Sequence, residues 1–317
     1  MTPDIVNAVT GYTVPLVTQD TASQASLIWE CADRGEAARA RAMCDAEREA
    51  AQRSGNLMRI AAVARIHGEL LALRGAGDVA QSEFLRALEI VASAKDKSEE
   101  VRIRTALARV LAVDGPFDEA ESVARSAYDL ANSTGDPRAR VQALAAWGRA
   151  LLAQGEIKRS VPLFFRAMRT ARRTHDDLTL REAWVDLGMA LAKSGRAKIA
   201  IKLLASANEL AEKHGIRRLG LRAQFGLSQA LLQDNNASEA LVYALSAINF
   251  ANTYGYEGFL PALYGQLAEV YCQLGDFQGA FYAAKQNIDT QRRRLSSQRR
   301  HILMLSSLLI DAQQRDE

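Results

Sequence analysis

The sequence predicts an all-α protein, an α-solenoid of about seven helix hairpins with a long C-terminal helix. Three observations predict this fold. Small residues recur at an interval of 40 positions through most of the 317-residue chain, which is typical of repeat architectures. Ala, Leu, Arg, Glu and Gln abound and the chain holds only 6 Pro, a composition that favours helix. Runs of β-branched residues bounded by turn residues, which would indicate strands, are absent.

Three columns of small or turn residues define the repeat. The first column holds Gly68, Ala108, Gly148, Gly188, Ser228 and Ala268. The second column holds Ala80, Ala120, Ser160, Ala200, Ala240 and Ala280. Between them lie the turn residues Gly35, Gly75, Gly115, Gly155, Gly195, Asn235 and Gly275. Small residues allow two helices to approach, so we expect Gly188 and Ala200 to face each other within one hairpin. Gly and Asn accept the left-handed backbone that ends a helix.

The clearest repeat resembles the tetratricopeptide repeat family. It consists of Trp184, Leu187, Gly188, Leu191, Ala200 and Ala207, in the order of the family pattern of Trp, Leu-Gly and two Ala. The resemblance covers roughly residues 22–290 and implies a right-handed superhelix. Because the period is 40 and not the family's usual length of about 34, we expect longer helices. Residues 1–21 are then an N-terminal extension, and residues 291–317 are a C-terminal helix. This long-period variety is similar to the sensory arrays that precede bacterial diguanylate cyclases.

The sequence offers no chemistry that predicts an enzyme. It has no Gly-rich phosphate loop and no GxSxG motif, and its four His are scattered without metal-ligand spacing. We therefore expect no cofactor and no metal. The net charge of +3 is too small to indicate nucleic-acid binding. No signal peptide or membrane-spanning run is visible, which favours a cytoplasmic protein with three reduced, buried cysteines.

The resemblance implies that the first helix of each hairpin lines a concave groove in which ligands bind. The residues mapped to this groove are Arg65, Arg102, Arg109, Gln142, Arg149, Met189, Lys193, Arg222, Phe225 and Gln229. The middle of the groove is basic, and arginine suits bidentate recognition of carboxylates. We expect an acidic peptide or helix face to contact Arg109 and Arg149, which occupy equivalent places on adjacent repeats.

The C-terminal segment contains no Gly or Pro after Gly279, which favours one long helix. Its apolar residues recur at heptad spacing and suggest a homodimer seam. The seam residues are Leu295, Ile302, Leu305 and Leu309. Alternatively, the segment caps the array by packing on Leu260, Leu263 and Leu267. Five Arg between 292 and 300 form a basic block without interleaved aromatics, so nucleic acid is an unlikely partner.

These patterns together predict a non-catalytic bacterial regulatory or sensory scaffold that binds a protein or peptide in its groove. Two alternatives stay open. The chain could be the regulatory N-terminal part of a diguanylate cyclase, or it could be a quorum-peptide receptor of the long-repeat kind.

Overall fold

A computed structural model describes residues 19–174 and 177–294, and these form fourteen α-helices paired into seven antiparallel hairpins. The first helices are α1 (Gln19–Asp33), α3 (Leu57–Leu73), α5 (Lys97–Asp114), α7 (Pro137–Ala153), α9 (Asp177–Lys193), α11 (Arg217–Gln233) and α13 (Leu260–Leu274). The second helices are α2 (Ala37–Ser54), α4 (Gly77–Ala94), α6 (Phe117–Thr134), α8 (Ile157–Arg172), α10 (Ala197–His214), α12 (Ala237–Tyr254) and α14 (277–294). No strand occurs in these two ranges. The predicted α-solenoid is confirmed.

The turns end the helices as the sequence predicts. Residues of the turn column have a positive φ in six of the seven hairpins, including Asn235 at 61°. Gly115 is the exception, with an extended φ of −111°, because the residue before a proline is restricted to extended backbone. The turns that join one hairpin to the next are also short. The residues added to the repeat therefore lengthen the helices. The helices α1 to α13 span 15 to 18 residues.

Each hairpin is packed by matching residue sizes across its two helices. A Cβ added at Gly188 would lie 2.7 Å from Cγ of Leu204 on α10. Gly148 faces Phe164 in the same way, again at 2.7 Å. The side chain nearest to Gly188 is thus Leu204, one helical turn beyond Ala200 on α10. The expected contact between Gly188 and Ala200 stays a prediction. Ala200 itself is fully buried.

The first hairpin departs from the pattern, and the structure shows how it compensates. Ile28 occupies the small column and is completely buried in the core between the first two hairpins. Glu47, which stands in a column of alanines, accepts hydrogen bonds from Arg59 at 2.7 and 3.0 Å. The prediction of buried cysteines is confirmed for Cys31 and Cys44, but Cys272 is exposed.

The seventh hairpin shares a hydrophobic core with the sixth. Leu260, Leu263 and Leu267 pack together with Leu221 and Ile248 of the preceding hairpin. The helix α14 runs through position 290, where the sequence analysis placed a domain boundary. The predicted seam residues 295–309 and the extension 1–18 lie outside the described residues. Within the described ranges, no helix is both long and apolar enough to cross a membrane.

The solenoid coils tightly enough for its two ends to meet, which the sequence analysis did not predict. The Tyr256 hydroxyl, after α12, donates to the carbonyl oxygen of Ala32 on α1 at 2.6 Å. Arg294 on α14 donates to the carbonyl oxygen of Gly75 at 3.1 Å. Hairpins 1 and 2 thereby contact hairpins 6 and 7. We call these two hydrogen bonds the closing contact. Neighbouring first helices contact each other around the array, and the first helix of hairpin 6 also contacts that of hairpin 1. We call the concave face of these first helices the channel.

Candidate functional site

A cluster of charged side chains fills the concave surface. Its arginines are Arg65, Arg102, Arg109, Arg149, Arg218 and Arg222. Its carboxylates are Asp33, Glu69, Glu99, Glu182 and Asp186. We call these residues the channel cluster. All of these residues lie on first helices, which the small columns hold close together. The cluster contains one arginine more than it has carboxylates.

One half of the channel cluster joins α3 to α5. Arg65 donates to Glu99 at 2.6 Å and to Glu69 at 3.1 Å. Glu99 also accepts from Arg102 at 3.1 Å, and Glu69 accepts from Arg109. Burial opposes the charge on Glu99, but Arg65 and Arg102 outweigh burial and hold the pKa of Glu99 below its usual range. Glu99 and Glu69 therefore each link the two neighbouring hairpins through hydrogen bonds to arginine.

The other half centres on Asp186 of α9. Arg149 of α7 grips Asp186 with two hydrogen bonds of 2.8 and 2.7 Å, and Arg222 of α11 bonds the same carboxylate. The Asp186 side chain is only 3% exposed. Burial works against its charge, yet the two arginines outweigh it and lower the pKa of Asp186. One carboxylate thus bridges three consecutive hairpins.

Arg218 extends the cluster to the end of the array. It donates to Asp33 at 2.8 Å and to Glu182 at 3.0 Å. Asp33 is the last residue of α1, so this contact lies beside the closing contact. Burial lowers the pKa of Arg218, but Asp33 and Glu182 more than offset it and raise that pKa. The first and sixth hairpins are therefore joined by charge as well as by Tyr256.

Two arginines are less well neutralised than the others. Burial lowers the pKa of Arg109, and the nearby Arg149 and Arg218 lower it further, against the opposing effect of Glu69. Burial also lowers the pKa of Arg222. The nearby charge of Asp186 raises this pKa, and that of Arg149 lowers it. Arg109 is also the most accessible arginine of the cluster, with 35% of its side chain exposed, followed by Arg102 and Arg149. The channel therefore presents incompletely compensated, reachable positive charge.

The structure brings together five of the predicted groove residues, namely Arg65, Arg102, Arg109, Arg149 and Arg222. Gln142 and Lys193 are exposed and take no part in the ion pairs of the cluster. Met189 and Phe225 are half-buried and pack on hydrophobic cores. Gln229 is half-buried, and its Oε1 atom has no hydrogen-bond partner within the described part of the chain.

Sequence reasoning mapped Glu69 and Glu182 to the groove but missed three carboxylates that pair with the arginines, namely Asp33, Glu99 and Asp186. Asp186 carried a visible signal, because its column otherwise holds Ser26, Ile66, Ala106, Ala146, Gly226 and Gln266. A carboxylate in a column of small or neutral residues on a buried helix face is costly unless it is paired. Asp33 carried no such signal, since its partner Arg218 is 185 positions away. Among the described residues, no group of His, Cys, Asp and Glu is arranged to hold a metal ion.

No protein-family profile and no curated protein matches the sequence. Solved structures of similar shape exist. A Rap protein complexed with competence and sporulation factor matches with a TM-score of 0.60 at 14% identity, covering 88% of this chain and 99% of that one. NprR in complex with its cognate peptide NprX gives a TM-score of 0.58 at 11% identity, covering 92% and 84%. The Rap conjugation gene regulator of plasmid pLS20 with the Phr* peptide gives 0.54 at 14%, covering 75% and 76%. At these identities the likeness shows the fold, a tetratricopeptide-like α-solenoid.

Proposed function

We propose that this chain is a non-catalytic regulatory scaffold that binds a peptide in its channel. The observation that carries the proposal is the reachable, under-compensated positive charge at Arg109, with the partly exposed Arg149 nearby, inside an otherwise buried network. The likeness to Rap and NprR structures supports it, because all three of those structures are described with a bound peptide or factor. As part of the same proposal we place the protein in the cytoplasm of a bacterium.

The ligand that fits this channel carries a carboxylate, either an acidic side chain or a C-terminus. That group would take the place of Glu69 beside Arg109, or share Arg149 with Asp186. Exchange of one carboxylate for another conserves the charge-assisted hydrogen bonds and so avoids leaving a buried arginine unpaired. The unpartnered Oε1 atom of Gln229 would accept a hydrogen bond from a peptide N–H.

The test uses two pools of short synthetic peptides that differ only in one fixed residue, Asp in one pool and Lys in the other. Thermal shift identifies binding pools, and calorimetry on individual peptides measures affinity. We expect the Asp pool to bind. The double variant Arg109→Gln, Arg149→Gln should bind at least about tenfold more weakly, since a hydrogen bond to a charged group contributes about 1.5–3 kcal/mol.

A matched control removes two arginines outside the channel. Arg104 bonds Glu100 and Ser126, and Arg159 bonds Glu121. The double variant Arg104→Gln, Arg159→Gln should retain wild-type affinity. Circular dichroism confirms that both double variants keep their helices. Equal binding of the Asp and Lys pools, or a channel variant with wild-type affinity for the selected peptide, would contradict the proposal.

Of the alternatives drawn from the sequence, the likeness to Rap and NprR supports the quorum-peptide receptor, which is one form of the proposed function. The alternative that the chain is the regulatory N-terminal part of a diguanylate cyclase stays a prediction. The length of the natural open reading frame tests it, because that alternative requires a cyclase domain encoded after residue 317.

A further inference from the structure

The last helix, α14, presents an apolar face to solvent. Phe277 is 74% exposed, Phe281 66% and Ile288 50%, and Ala284 lies on the same face. These four residues follow helical spacings of three and four, and we call them the α14 face. Large side chains with this much exposure, aligned along one helix, are typical of an interaction surface.

The equivalent residues of the preceding hairpin show what kind of surface this is. Ala237, Ala244 and Ile248 on α12 stand 40 positions before Phe277, Ala284 and Ile288. They are at most 9% exposed, because the seventh hairpin packs on the sixth. The α14 face therefore corresponds to the surface on which the next hairpin stacks elsewhere in this solenoid. Within the described residues, no further hairpin covers it. A repeat that caps a solenoid usually presents a polar outer face, whereas the outer face of the seventh hairpin is apolar.

The sequence argues against a return of the chain onto the α14 face. Between hairpins, the chain reverses after the second helices at Gly55, Lys95, Gly135, Gly215 and Gly255, all with positive φ. In the sequence, the position equivalent to these turn residues after α14 is Leu295, and no Gly or Pro follows Gly279. Leucine is disfavoured in a left-handed turn, so the sequence favours an occupant from outside the chain.

We propose that the α14 face binds the α14 face of a second copy, with the two helices parallel. Phe281 and Ile288 on this face stand seven positions apart, and in the sequence apolar residues continue at the same interval at Leu295, Ile302 and Leu309, which lie outside the described residues. The seam predicted from the sequence thus starts earlier, on a face that is already exposed. Pairing around a twofold axis sets like residues against like and buries both copies of each one. This proposal is independent of what the channel binds.

Light scattering coupled to size exclusion tests the proposal on the full chain. The wild-type protein should have twice the 34.6 kDa mass of one chain, and Phe281→Asp and Ile288→Asp should each give the mass of one chain. Val242→Asp is the matched control, because Val242 is 64% exposed on α12 and lies off the stacking surface. That variant should stay dimeric. A monomeric wild-type protein at every concentration, or dimers that survive both α14 substitutions, would overturn the proposal.

Cysteine cross-linking tests the parallel arrangement. In a Cys272→Ser background, which removes the exposed native thiol, Phe281→Cys should form a disulfide between two chains because a parallel register brings equivalent seam positions together. Val242→Cys should not cross-link. A dimer that Phe281→Asp disrupts, but in which Phe281→Cys fails to cross-link, would show that the helices do not pair in parallel.

Discussion

At the scale of single residues, Asp186 is the most consequential charge in the described chain. It is buried and holds both Arg149 and Arg222. Asp186→Asn would leave two arginines without their shared counter-ion, and breaking a buried ion pair costs about 3–5 kcal/mol. We expect a value near the lower end, because Arg149 is partly solvated. Urea unfolding at neutral pH measures it. Glu121→Gln, which breaks the exposed pair with Arg159, should cost under about 1 kcal/mol.

The same residue sets a dependence on pH. The pKa of Asp186 in the folded protein lies below its ordinary value of 3.8. Its contribution is therefore fully present above about pH 4 and is lost as the pH falls through the lowered pKa. The stability difference between wild-type protein and Asp186→Asn should shrink between neutral pH and pH values below 3.8. A difference that stays constant over this range would contradict the assigned ionisation.

At the scale of the helix hairpin, stability depends on a match of sizes between the two helices. Where the first column holds Gly, the facing residue is Phe84, Phe164 or Leu204, and where it holds Ala108 the facing residue is Ala124. Gly188→Ala should overpack Leu204 and cost about 1–3 kcal/mol. Leu204→Ala alone should cost about 2–5 kcal/mol through a cavity.

Combined, these two substitutions recreate the Ala–Ala pair that the third hairpin uses. The double variant should therefore be more stable than the sum of the single effects, by about 1 kcal/mol or more. Thermal unfolding of the four proteins in the cycle measures this coupling. Strict additivity would show that Gly188 and Leu204 do not share one packing site.

The sequence was sufficient to predict the hairpins because each depends on residues within one repeat. Periodic small and turn residues fix the helix ends and the packed faces, whatever the rest of the chain does. The close approach of Leu204 to Gly188 was not predicted, because the column that contains Leu204 varies in size and was not compared with the Gly188 column. Five of the six arginines of the channel cluster were found, but Arg218 and partners such as Asp186 depend on how hairpins stack, which one repeat does not encode.

At the scale of the whole molecule, the closing contact is the feature that local patterns could not predict. Tyr256 lies in the connection between α12 and α13. Its hydroxyl is buried against Ala32, and burial followed by the charge of Asp33 raises the pKa of Tyr256 above its ordinary value. The contact spans 224 positions of sequence, although most contacts in a solenoid are local.

Removal of this hydroxyl should loosen the end of the array selectively. Tyr256→Phe loses one buried hydrogen bond, which contributes about 1 kcal/mol. Amide hydrogen exchange in α1 and α2 should then accelerate about fivefold, while exchange in α7 and α8 stays the same. Tyr254→Phe, the same change two residues earlier, is the control. Uniform acceleration across all helices, or none in α1 and α2, would show that Tyr256 does not hold the ends together.

The meeting of the two ends also constrains how this protein can change during evolution. An open array of repeats can gain or lose a unit, because each unit contacts only its neighbours. Here the insertion or deletion of one 40-residue unit would carry Tyr256 and Arg294 past Ala32 and Gly75. We therefore expect the insertion or deletion of one such unit to abolish the closing contact, so that related chains which keep this contact keep the same spacing between the residues that form it.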